Sequence, residues 1–129
     1  MNKLTIKTFL VISLVSTNIF SQSGWNWGEQ IDVAKEKNAI YTDLVKVGKY
    51  KGAIEAHTWL IENAPDLNES LYQNGTKIYS GLANKETDKV QKATYQAKAL
   101  EMYDLRIKYF GNEASVLNRK AFPAYKFYK

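Results

Sequence analysis

The stretch from Gly48 to Pro65, GKYKGAIEAHTWLIENAP, constrains the chain most, because a turn, an amphipathic helix and a stop follow one another within it. Ala53, Ile54, His57, Leu60 and Ile61 recur at i, i+1, i+4, i+7 and i+8, which places them on one broad helical stripe. Gly48 can take the left-handed backbone that ends a preceding helix, and Pro65 lacks the N–H that a continuing helix needs. The stretch therefore reads as the second half of a helical hairpin.

The rest of the chain supports helix over sheet. Its 129 residues suit one domain, and a content of 45% hydrophobic and 13% aromatic residues is ample for a packed core. Only 7 glycines and 2 prolines occur, and valine and isoleucine do not alternate with polar residues as strands require. A first helix is expected from Asp32, as cap, to Val47, burying Val33, Ala39, Ile40, Leu44 and Val47. A third follows a cap at Asp66 or Asn68 and buries Leu71, Gly75, Ile78, Tyr79 and Leu82, with Gly81 loosening its end and a polar turn at residues 84–87. A long fourth helix from Asp88 carries Val90, Ala93, Ala97, Leu100, Tyr103, Ile107 and Phe110 inward and stops at Gly111. A fifth, over residues 115–129, buries Val116, Leu117, Ala121, Ala124 and Tyr125, with Pro123 kinking it or marking its effective start.

Residues 1–22 read separately. Lys3 and Lys7 precede an uncharged, mostly apolar run from Thr8 to Phe20, and small residues follow it, which is the layout of a secretory signal peptide. The run is shorter than the roughly 20 residues that a lasting membrane anchor needs. The mature domain, residues 23–129, is then exported, either periplasmic or secreted, with no stable membrane anchor. No cysteine is present, so neither a disulfide framework nor a lipid-bearing thiol is available. Part of the formal net charge of +5 resides in Lys3 and Lys7, and what remains does not point to nucleic acid.

Laid over itself, the chain repeats. Ala53-Ile54-Glu55 aligns with Ala99-Leu100-Glu101, and the same offset pairs Ile61 with Ile107, Leu71 with Leu117, Gly75 with Ala121 and Tyr79 with Tyr125. The offset exceeds a helix-turn-helix unit of about 34 residues, with the surplus assigned to the polar stretch Asn84–Tyr95. Residues 36–69 resemble one unit of the tetratricopeptide repeat. Gly48 and Tyr50 stand in its turn, Ala53 at its helix crossing, His57 at its aromatic place and Pro65 at its closing proline, while Lys37, Tyr41 and Leu60 depart from the pattern. Gly75 and Ala99 belong to a second, lengthened unit and Ala121 to a third that is either a single capping helix or the start of a longer array. The leader and the run EMYDLRIKYFG are similar to secreted tetratricopeptide-repeat proteins of Bacteroidetes-type bacteria. The fold class implied is all-α, an α-solenoid of antiparallel helix-turn-helix repeats, about two repeats plus a final helix.

Catalytic chemistry is poorly supplied. His57 stands alone on an apolar stripe, and no G-x-S-x-G, H-E-x-x-H or phosphate-binding loop occurs, so neither catalytic residues, metal ligands nor a cofactor are expected. The resemblance implies instead a concave groove that holds a protein or peptide partner. Its positions fall on Lys35, Asn38, Thr42 and Lys46 of the first helix, Tyr72, Thr76 and Tyr79 of the third, and Asn118, Phe122 and Tyr125 of the fifth. Lys35, Lys46 and Arg119 would favour an acidic group. An unpaired terminal helix offers a route to self-association. The alternatives left open are a carbohydrate or cell-wall binding module that uses Trp25, Trp27 and the tyrosines, and an enzyme whose active residues lie beyond Lys129.

Overall fold

A computed structural model describes residues 25–129, so the expected leader lies outside the described residues. Five helices follow in order: α1 (Ile31–Lys46), α2 (Tyr50–Asn63), α3 (Glu69–Lys85), α4 (Lys89–Phe110) and α5 (Glu113–Tyr128). No strand occurs among the described residues. Each helix packs on the next, and α1 also reaches α3, which gives an all-α, repeat-like stack of antiparallel hairpins.

The turn between α1 and α2 is dictated by Gly48. Its φ is +72°, its N–H donates to the Val45 carbonyl, and the Lys49 N–H donates to the Leu44 carbonyl. That pair of bonds satisfies two carbonyls that the end of α1 leaves free. At the other end of α2, Ala64 precedes Pro65 and is held out of the helical region at φ −145°. The chain reverses there, the Leu67 N–H donates to the Ala64 carbonyl, and the Asn68 side chain then caps α3 by accepting from the Leu71 N–H at 3.0 Å. Asp88 caps α4 in the same way.

The core runs through the middle of α2 and α3. Ala53, Ala56, His57 and Leu60 are buried on α2, and Leu71, Tyr72, Gly75, Ile78 and Tyr79 on α3. Ala53 and Ala99 are 0% and 1% exposed, so the two small residues paired by the repeat offset both lie at tight helix crossings. A Cβ on Gly75 would stand 2.8 Å from His57 Cε1 and 2.5 Å from Met102 Sδ, so this place in α3 admits nothing larger than glycine without movement.

Several expectations are corrected. In α1 the buried residues are Ala34 and Tyr41, whereas Val33, Ala39, Ile40 and Val47 face outward and Leu44 is half-buried. The stripe is displaced by one residue: Tyr41 packs edge-on against His57 in the core, and its hydroxyl accepts from Asn74 Nδ2 at 3.4 Å. Asp32 is in the first turn of α1 and is not its cap. Gly81 does not loosen α3, which runs on to Lys85; it makes room for the Tyr50 ring. The surplus in the repeat lies in the assigned stretch and is mostly helix: α4 begins ten residues before Ala99, against three before Ala53 in α2, about two extra turns. Val90 and Ala93 on those turns are exposed, and so is Ala97 just after them. In α5 only Val116 is fully buried; Leu117, Ala121 and Tyr125 are exposed, and the helix begins ten residues before Pro123 and passes through it.

Candidate functional site

The first helix of each hairpin and the terminal α5 carry the residues expected to meet a partner, and the structure divides them. Tyr72 and Tyr79 are 1% and 3% exposed, so they are core residues and not groove residues. Tyr72 donates from its hydroxyl to the Pro65 carbonyl and stacks on Tyr109, and its burial, with the Tyr109 and Asp66 charges adding to it, holds the phenol above the usual range. Thr42 and Thr76 are half-buried, and their hydroxyls donate to the Asn38 and Tyr72 carbonyls of their own helices, which leaves them only as acceptors. Asn38 keeps a buried Oδ1 with no hydrogen-bond partner. Lys46 is paired with Asp43 at 3.2 Å, and Lys35 lies over the Trp27 ring at 5.9 Å. Asn118, Phe122 and Tyr125 are exposed on α5.

His57 is fully buried. Its Nε2 is 2.8 Å from the Leu71 carbonyl, which can only accept, so Nε2 carries the proton and Nδ1 is left buried without a partner. Burial lowers its pKa, with the Leu71 carbonyl opposing. The ring packs edge-on against Tyr41 and Tyr79. This is a structural histidine closed off from any substrate. Among the described residues no three of His, Asp and Glu converge on a point that could hold a metal, and no helix is long and apolar enough to cross a membrane.

The two tryptophans are placed differently from each other. Trp27 packs against the core, while Trp25 is 47% exposed, and their rings are 5.3 Å apart and tilted by 45°. The segment that bears them is tied to the α2–α3 turn by the Asn26 N–H to the Leu67 carbonyl and by Asn26 Nδ2 to Asp66 at 2.8 Å. Gly28, at φ +70°, lies so close to the Asn63 carbonyl that a side chain would collide with it.

Two features of the surface stand apart. One is the outer side of α5, where Leu117, Phe122, Tyr125 and Tyr128 are 43%, 74%, 64% and 73% exposed. Its opposite side, with Val116 buried and Pro123 and Phe127 half-buried, is turned inward, and Lys120 pairs with Asp104 of α4 at 2.6 Å. The other is a cavity of about 300 Å³ between α3, α4 and α5. Here the repeat is broken: α1 touches α3, but α5 touches α4 alone, so a gap opens where α5 would meet α3. Tyr72 and Met102 form its apolar wall, Lys77, Arg106 and Arg119 supply cations, and Gln73, Thr76 and Tyr103 complete the lining.

Of these lining residues, Gln73, Lys77, Tyr103 and Arg106 carried no signal by type alone. The repeat offset held one, since it pairs Arg106 with Leu60, a cation against a buried leucine. No family model matches the chain, and comparisons with curated proteins and with solved structures also find no match.

Proposed function

We propose that this protein is an exported helical-repeat scaffold of tetratricopeptide type that holds a segment of another protein. The observation that carries the reading is the outer side of α5, where Phe122, Tyr125 and Tyr128 form an exposed aromatic edge. The fitting partner is an amphipathic helix or peptide with acidic flanks. From Ala114 to Lys129 the chain has no acidic residue, and Arg119, Lys126 and Lys129 are exposed along it. Charge complementarity therefore favours an acidic segment, while two copies of α5 laid together would set like charges side by side.

Panning a random-peptide display library on the immobilised protein tests this. Enriched peptides should be amphipathic and acidic, and they should be lost on a Phe122→Ser/Tyr125→Ser variant. Equal enrichment on both proteins would refute the reading. The carbohydrate alternative is weaker, because the tilted Trp25–Trp27 pair offers one exposed ring and no flat platform; tryptophan fluorescence titrated with envelope glycans checks it. Export is tested by the N-terminal sequence of the protein recovered from its native host, which should begin near Ser23.

A further inference from the structure

We infer that the cavity between α3, α4 and α5 binds an oxyanion, a carboxylate or phosphate, carried on an apolar or aromatic stem. The inference does not depend on the α5 edge, since Phe122, Tyr125 and Tyr128 take no part in the cavity.

Charge supports it first. Three cationic side chains from three helices line the space, and no carboxylate lines it. Arg106 is the fixed one: its side chain is 13% exposed, and Nε and Nη2 both donate to Glu69 Oε2, the former at 3.0 Å, which holds the guanidinium plane and leaves Nη1 free for a ligand. Arg119 is exposed and joins no ion pair among the described residues. Arg119 lines the same cavity as the Glu69-paired Arg106, so its charge is available there to an entering anion. Planar guanidinium forks are well matched to the oxygens of carboxylate and phosphate.

Shape supports it next. Tyr72 and Met102 are among the residues that line the space and give part of it an apolar character, so the stem of a ligand would rest against partly apolar surface. A cavity near 300 Å³ exceeds what a bare phosphate needs and suits a small ligand with an apolar body. The site joins Arg106 and Tyr103 of α4 to residues of α3 and α5, and it overlaps the expected groove row only at Tyr72 and Thr76.

The purified protein would be titrated with phenyl phosphate, benzoate, inorganic phosphate and an acetylated peptide carrying one Phe-Glu step, with spectra that resolve arginine Nε–H groups and methionine methyls. At least one aromatic anion should shift Arg106, Arg119 and the Met102 methyl. Arg119→Gln should weaken it about tenfold or more, with an unchanged melting temperature because Arg119 is exposed and unpaired; Lys77→Gln provides a second, independent loss. Tighter binding of the peptide than of benzoate assigns the anion to a protein partner, and the reverse assigns it to a free small molecule; either result supports the site. Inorganic phosphate binding as tightly as the aromatic anions overturns the stem, and an affinity untouched by both substitutions, or no shift at the arginines, overturns the site.

Discussion

The Nε2 of His57 lies 2.8 Å from the carbonyl oxygen of Leu71, joining α2 to α3 inside the core through the one histidine of the chain. Protonation would place a second N–H on Nδ1, which is buried and has no partner. The folded state therefore resists the proton, and the pKa of His57 falls below its ordinary value of about 6.5. An unfolded chain binds that proton more readily, so the stabilisation is complete above about pH 6.5 and is lost as pH falls through the lowered folded pKa. Melting temperature should decline between about pH 6.5 and 5, above the range in which carboxylates titrate. In His57→Gln that decline should be absent, as thermal melts across the range would show.

Gly81→Ala should destabilise the protein even though alanine is the better helix former by about 1 kcal/mol. The added methyl would enter the Tyr50 ring, which is held between the start of α2 and α3. Urea denaturation should show a net loss of about 1 kcal/mol or more, and Tyr50→Leu in the same chain should recover part of it.

Overpacking of the helix crossings should be costly at both repeats. Ala53→Leu and Ala99→Leu each force a larger side chain into a site with no exposure, and each should cost about 1 to 3 kcal/mol. Equal urea midpoints for wild type and both variants would remove the crossing role.

Hydrogen exchange should rank the helices. Only α4 holds α5, through Val116, Lys120 and the half-buried Phe127, whereas α3 is packed by α1, α2 and α4. Amides of α5 should exchange through a local opening well below the global unfolding energy, and those of α3 at or near it. Matching protection in the two helices would contradict this placement.

Legibility from sequence varied with what each residue had to reveal. The stripe of α2 was legible in its centre, because Ala53, His57 and Leu60 are buried where their spacing puts them, while Ile54 and Ile61 at its edge are half-buried and Ala56 joins the buried side. Gly48 was legible too, since a left-handed residue with two capping bonds is a local requirement. In α1, hydropathy favoured Ile40 over Tyr41, yet the tyrosine is inside, where its ring packs against His57 of α2 and its hydroxyl meets Asn74 of α3, contacts between residues far apart in the chain. Among the candidate site residues, Tyr72 and Tyr79 share the periodicity of a groove row but are covered by α4, through Tyr109 and Tyr95, a contact that no spacing within α3 expresses.

The sequence by itself determined the helical class, the number of helices and the stops at Gly48, Pro65 and Gly111, because caps, turns and periodicity are properties of a few neighbouring residues. Only the tertiary structure decided which face of α1 and α5 is inside, why Gly75 and Gly81 must be small, and that Lys77, Arg106 and Arg119 share one cavity. Those outcomes depend on where helices of unequal length meet, and that is set by packing between residues far apart in the chain.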